Sequence, residues 1–408
     1  MRTRTAGRWP VEHVPDHVDA GAGPPAPATH HPSHAELLQP YEPSARRRID
    51  GIIVSAARPA GNLSAAFQLA AALRAPVVVL CSHEARHDLA VARARTTPGL
   101  SWAVVDLREW PGAALPSVRT SGFDQAKVDP HGDLSHKRNL GLLLARLVGW
   151  KRLMFLDDDI SGLEPLQVEQ AAAGLDRFAA VGMPALSFPD NSVACHARRS
   201  SGAEQDVFVS GSALVVCEPA TDSFFPDVYN EDWLFLAPHL DRREVTTVGS
   251  VVQDEYDPFE DPDRAGAQEF GDVLAEGLIG RLHTERLYPV PTRDYWARFL
   301  DARARFLAGA RAGCPDDVLA AIGSAQEALG EISPDELVQY VEAWQADLAT
   351  WRQWILDQPR LDGLDAALHY LDLAARTERS QPRTEPPTAR RRPTEPLGNP
   401  SSRRACGG

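Results

Sequence analysis

The chain has 408 residues, 43% of them hydrophobic, and a formal net charge of −14. That length and composition allow one large domain or two modest ones with a substantial core, while the acidic balance argues against nucleic acid as the main ligand. No apolar run approaches the roughly 20 residues that span a bilayer, and Met1-Arg2-Thr3-Arg4 is not followed by a signal-peptide core, so the chain reads as a cytoplasmic protein without a transmembrane segment.

Residues 1–45 are rich in Pro, His and Ala and poor in spaced apolar residues, which reads as a disordered extension. From Ile49 short apolar runs alternate with amphipathic stretches, the pattern of βαβ units and a mostly parallel sheet in an α/β domain. Residues 49–55 read as a first strand, 63–73 as a helix, 76–81 as a second strand and 101–106 as a third. No Gly-x-Gly-x-x-Gly follows the first strand and no Gly-x-x-x-x-Gly-Lys-Ser/Thr occurs anywhere. Neither a dinucleotide fingerprint nor a phosphate-cradling P-loop is present.

Ser135-His136-Lys137-Arg138-Asn139-Leu140-Gly141 opens a helix in which Leu140, Leu143, Leu144 and Leu147 fall at i, i+3, i+4 and i+7. Ser135 is placed to cap its start and Gly149 to stop it. The first turn thus carries Lys137 and Arg138 beside free backbone N–H groups, which suits an anion. The strand that follows, residues 151–156, runs straight into Asp157, Asp158 and Asp159. Three acids after a strand taken alone read equally well as a solvated turn or a helix cap. At the carboxyl end of a strand, where an open α/β sheet presents its ligand crevice, adjacent carboxylates that repel are best held by a cation. Mg²⁺ or Mn²⁺, hard ions that accept carboxylate and diphosphate oxygens together, match that donor set.

Helix and strand together resemble GT-A-type glycosyltransferases of the family-2-like kind. Asp157 and Asp159 match the two positions of the Asp-x-Asp signature, and Arg138-Asn139 match an Arg-Asn pair on the preceding helix. The resemblance covers about residues 49–290 and implies a Rossmann-like catalytic domain over 46–292 that binds a UDP- or GDP-sugar. On that reading the divalent metal sits at Asp157 and Asp159. Lys137, Arg138 and Asn139 lie near the diphosphate and Arg58 near the base or ribose, with Ser55 and Asp158 completing the donor-binding set. The second strand ends Cys81-Ser82-His83-Glu84, where many relatives carry an acid or an Asp-Gly-Ser-type turn, so the nucleobase contacts stay open.

Beyond the triplet, residues 185–188 and 207–217 read as strands, and the polar stretch 190–205 between them as a mobile loop over the site. Gly211 interrupts a β-rich run, marking a bulge or a close backbone approach; the resemblance puts it under the donor sugar. Glu231-Asp232 opens a further helix, where acids also complement the helix dipole. Transfer to a hydroxyl acceptor needs a base for the acceptor proton, and a carboxylate in reach can serve. By resemblance to inverting GT-A enzymes Asp232 is that base and Glu231 sits at the acceptor or supports its loop. His283 is, by position alone, the histidine that completes the metal site in several such enzymes.

From Arg293 to about residue 375 the pattern is helical. Leu337, Val341, Trp344, Leu348, Trp351 and Ile355 repeat at helical spacing after the capping-box-like Ser333-Pro334-Asp335-Glu336. That stripe is core or a helix-pairing seam, and it would also serve a homodimer. Residues 376–408 hold eight arginines and three acids, so net +5 here leaves −19 on the rest; Pro- and Thr-rich, they read as a disordered basic tail. The five cysteines are scattered and show no Cys-x-x-Cys spacing, which gives neither a disulfide framework nor a zinc site. Two alternatives stand beside the glycosyltransferase reading. One is a haloacid-dehalogenase-like phosphotransferase or phosphatase using the Asp157/Asp159 pair, although that motif normally ends the first strand of its domain. The other is a catalytically silent sugar-nucleotide-fold protein.

Overall fold

The apolar runs pair into a sheet as the alternation predicts. The structure, a computed structural model, describes residues 33–380 apart from 109, 111–113, 125–131, 187, 189–191, 205 and 221. The expectations for 1–32 and 381–408 therefore lie outside the described residues.

Strands β1 (Gly51–Ala56), β2 (Val77–Cys81), β3 (Trp102–Asp106) and β4 (Arg152–Asp157) run parallel. Strand β7 (Ala213–Cys217) adds antiparallel to β4 and is followed in space by β6 (Ala180–Gly182) and β8 (Val245–Thr247), while β10 (Thr377–Arg379) closes the far edge. The eight-stranded order is β10-β3-β2-β1-β4-β7-β6-β8, and β5 (Ile160–Ser161) with β9 (Val252–Gln253) forms a separate ribbon beside the triplet.

Every residue of β1 and β2 is buried because helices cover both faces of the sheet. The period-2 geometry of strands divides the core in two. Ile52, Val54, Val79, Met154 and Leu156 face α1 (Leu63–Leu73), α2 (His87–Arg95) and α4 (Pro165–Gly174). Ile53, Val78, Phe155 and Leu214 face the other way, into one continuous core with α3 (Leu134–Val148), α6 (Glu231–Asp241) and the C-terminal helices. Those are α7 (Pro262–Leu282), α8 (Arg293–Ala310), α9 (Asp316–Gly330), α10 (Pro334–Asp357) and α11 (Gly363–Tyr370). The α10 stripe is internal: Trp344 and Trp351 are buried, and Ser333 caps the helix by accepting from the Glu336 N–H at 3.2 Å. Among the described residues no helix is long and apolar enough to cross a membrane.

Several local readings shift. Gly149 stops α3 in a left-handed conformation (φ 84°) as predicted, but the helix begins one residue before Ser135, whose hydroxyl instead donates to the Pro226 carbonyl at 2.8 Å. Only 213–217 of the expected 207–217 strand is β, and Ala185 makes a single bridge to Val251. Within the expected loop 190–205 lies a helix, α5 (Val193–Ser200). Order also passes both expected borders: His34 and Leu37 are buried against the loop before β7 and neighbouring elements, and β10 lies in what reads as basic tail. Glu378 pairs there with Arg95 and leaves the edge strand partly neutralised. Helix begins at Pro262 rather than Arg293, so α7 joins the helical region to the sheet domain.

Candidate functional site

The β1–β4 register sets Ser55 beside Asp157, which places the triplet against the loop that leaves β1. Asp158 points into that loop. One of its oxygens accepts the backbone N–H groups of Ala57 and Arg58, each at 2.8 Å, and the other accepts the Arg58 guanidinium at 2.7 Å. The same guanidinium reaches Asp159 at 3.0 Å. Asp159 is further held by Gln253 of the β5–β9 ribbon, while its carbonyl accepts the Asp254 N–H at 2.9 Å. Asp158 is thus a loop clasp rather than a group turned toward a donor. Arg58 keeps 47% of its side chain exposed, against 1% for Asp158 and 3% for Asp159.

Arg138 projects from the first turns of α3 beneath the carboxyl end of β4. Its guanidinium donates to Asp157 at 2.9 and 3.2 Å, forms an ion pair with Glu231 and lies 3.9 Å from Asp232. Residues 93 positions apart in the chain, Arg138 and Glu231, are joined here, and the triplet and the acid pair become one site. Gly211 lies against this guanidinium: a Cβ there would meet it, so a side chain at 211 and Arg138 in its present place exclude each other. The Gly211 N–H donates to Asp232 Oδ2 at 2.6 Å and the Trp233 N–H to Oδ1 at 2.9 Å, which fixes that carboxylate from two sides. Burial holds the Asp232 carboxyl above the usual aspartate range, with Asp157 adding repulsion; Arg138 and the two N–H groups pull against it.

Four further residues are placed otherwise than expected. Lys137 does not stand at an open helix start: it is buried, and its Nζ donates to the Ala56 carbonyl and pairs with Asp133, both at 3.0 Å. It braces the β1 loop instead. The Asn139 amide is used on both sides by the Phe225 backbone, donating at 2.7 Å and accepting at 2.9 Å, and so clamps the segment ahead of α6. His283 does not join the triplet; its ring sits at the end of α7 against the Ser33 carbonyl at 2.9 Å and near Glu36 at 3.5 Å. Arg138 itself is turned onto carboxylates, not outward.

The donor atoms of Asp157 and Asp159 suit a hard divalent cation. Their arrangement does not form a ready site for one: each carboxylate already meets a guanidinium. Among the described residues no group of three or more His, Cys, Asp or Glu side chains is gathered to hold a metal ion. Asp157, with 18% of its side chain exposed, is the most open of the five acids here. A groove of about 280 Å³ opens alongside, between Gln68 and Leu69 of α1 and Leu156, Ile160 and Ser161 around the triplet.

Sequence reasoning passed over Asn230, whose backbone is left-handed (φ 63°, ψ 35°) immediately before Glu231, and the buried Asp272 of α7 that accepts from its side chain. A polar residue before an acid pair carries no sequence signal of its backbone state. The triplet ends the fourth strand rather than the first, which is the wrong place for the phosphotransferase alternative. A scan against protein-family models and a search of curated proteins found no match to this chain.

Proposed function

We propose that the protein is a glycosyltransferase of GT-A type that moves a sugar from a UDP- or GDP-sugar to a hydroxyl acceptor, with inversion. The observation that carries the reading is the Arg138 bridge, which brings the triplet and the Glu231–Asp232 pair together at the carboxyl end of β4. Ligand crevices of open α/β sheets lie at those strand ends, and the order β3-β2-β1-β4 with antiparallel β7 beside it is compatible with a GT-A sheet. Asp232 takes the acceptor proton: two backbone N–H groups aim its carboxylate, and its raised affinity for a proton suits a base. Arg138 pairs with both Asp157 and Glu231 and so holds the two acids side by side. Half-exposed Arg58 is the cation free enough in position to turn toward a diphosphate.

Mg²⁺ or Mn²⁺ belongs to this proposal through exchange at Arg58: the ion would meet Asp159 only as that half-exposed guanidinium turns away, while Asp157 would keep the buried Arg138 beside it. Purified protein incubated with a panel of UDP- and GDP-sugars, with and without each ion, tests the reading by nucleotide release and by thermal shift. Release from at least one donor is expected. No release and no donor-dependent shift across the panel overturns it.

A further inference from the structure

We infer that helix α7 positions the Glu231–Asp232 pair, with Asp272 and Gly271 gripping the Tyr229–Asn230 turn and Arg303 anchoring the grip. This inference rests on the reading of Asp232 as the base. Asn is among the preferred helix N-cap residues, usually extended, with its side-chain oxygen accepting from the first turn. Asn230 does neither. Its backbone is left-handed and its side chain makes no cap; the amide Nδ2 donates instead to Asp272 Oδ1 at 2.8 Å. The Trp233 N–H is shared by Asp232 Oδ1 at 2.9 Å and the Asn230 carbonyl at 3.1 Å, which ties the orientation of the proposed base to the turn before it.

Gly271, the neighbour of Asp272, supplies an independent contact. A side chain there would collide with the Tyr229 carbonyl and Cβ, so the helix backbone lies directly on the turn. Behind it the grip is sealed. Arg303 from α8 donates to both oxygens of Glu269 at 2.8 Å, to Glu276 at 2.6 Å and to Asp272 at 3.3 Å, and all four side chains are at most 2% exposed. Left-handed backbone on a non-glycine residue persists where surroundings over-determine it, and such positions gather at functional sites. Here the surroundings are α7 and α8. Helices α7 and α8 are on this account positioning elements, which hold the turn ahead of the Glu231–Asp232 pair.

Asn230→Gly separates grip from backbone preference, since glycine accepts φ near 63° but has no amide for Asp272. Displacement of a catalytic group by about 1 Å can cost on the order of 100-fold in rate. Asn230→Gly is therefore expected to lower kcat by ~10–100-fold with the donor KM within about twofold. Asp272→Asn, which preserves shape and an acceptor oxygen, is expected to keep kcat close to the parent's, and Asp272→Leu to repeat the Asn230→Gly loss. A second readout does not need turnover: the Gly211 amide, which donates to Asp232, is expected to shift in ¹⁵N NMR spectra of Asn230→Gly and not of Asp272→Asn. Unchanged kcat together with an unmoved Gly211 resonance in Asn230→Gly overturns the inference, whatever becomes of the less tolerant Asp272→Leu. If instead Asp232→Asn transfers normally, the base reading falls, and the Gly211 resonance alone decides whether α7 positions the pair.

Discussion

Among the described residues, two of the clusters that join arginine to several buried carboxylates differ in access to water. At the carboxyl ends of β1 and β4, Arg58 and Arg138 serve five acids, and Arg58 keeps about half its side chain in solvent. Between α7 and α8, Arg303 serves Glu269, Asp272 and Glu276 with none of its own surface exposed. A half-exposed guanidinium can leave one partner for another because water compensates the exchange. A sealed one cannot, since each lost partner strands a charge in a medium of low dielectric. On the proposed function the difference says where a ligand would enter: the cluster with a half-exposed arginine can exchange a partner, while the closed one holds its neighbours still. It also explains the proton economy of each. Three carboxylates against one buried cation leave excess negative charge, and burial, with repulsion from Glu276 and Glu269 against the pull of Arg303, holds the Asp272 carboxyl well above the usual range.

The comparison breaks first at Asp232. Asp232→Asn keeps the shape and the N–H contacts of the open cluster but removes the proton acceptor, so transfer is expected to fall by ~10²–10⁴-fold with donor affinity nearly constant. Glu231→Gln should be the milder lesion in the same kinetic assay. A dead Glu231→Gln beside an active Asp232→Asn would exchange their roles.

The closed cluster is tested by Arg303→Leu. Removing one partner of a buried ion pair typically costs about 3–5 kcal/mol, and here three carboxylates lose their cation together. Chemical denaturation should show a loss of that order at neutral pH, and the loss should shrink in acid as the carboxyls take up protons. A loss below about 1 kcal/mol would mean that the acids already bind enough protons to do without the guanidinium.

The effect of pH sharpens the contrast. The folded Asp232 carboxyl gives up its proton at higher pH than an unfolded one, so its contribution to stability is complete below the unfolded value and is lost as pH rises through the folded value. Activity moves the other way, because only the ionised carboxylate accepts a proton. The acidic limb of kcat should thus fall about tenfold per pH unit below an inflection lying above the ordinary aspartate value of about 3.9. Asp272 has the same sign for stability and no limb in the rate. An inflection at the ordinary value would place Asp232 in water rather than in the buried position described.

The smallest effect is expected at Arg58. Arg58 is half in solvent while Asp158 and Asp159 are buried, but Asp158 keeps the Ala57 and Arg58 N–H groups and Asp159 keeps Gln253, so Arg58→Ala should cost less folding stability than Arg303→Leu. Donor affinity, measured by calorimetry, should weaken more than stability does. A stability loss as large as that of Arg303→Leu would show that the open cluster is as rigid as the closed one.

How much of this was legible in the sequence follows the range of the forces involved. Period and punctuation are local, and they located β1 to β4, the helix from Leu63 to Leu73, the Gly149 stop and the Ser333 cap within a residue or two. Three consecutive acids after a strand likewise announced themselves, as did the cationic helix start before them and the acid pair at residues 231–232. Short strands such as β6 and β8, three residues each, carry too little pattern to be seen alone and exist because β7 offers β6 an edge and β6 in turn offers one to β8. The α7 acids fall at i, i+3 and i+7 on a helix, a spacing that a solvated face would show equally, until Arg303 from another helix meets them.

What the sequence by itself determined is therefore the set of elements and the positions where charge is concentrated, because both arise from neighbours along the chain. Which charges meet was decided only by the tertiary structure. Arg138 and Asn139 are adjacent, yet one reaches Asp157 and Glu231 while the other clamps the Phe225 backbone, since successive residues of a helix point about 100° apart. Lys137 and Asp158 carry charges that read as ligand contacts and turn inward to brace the loop after β1. A side chain's partner is set by where the packed elements leave room and by which polar groups burial would otherwise leave unpaired, and neither quantity exists before the chain has folded.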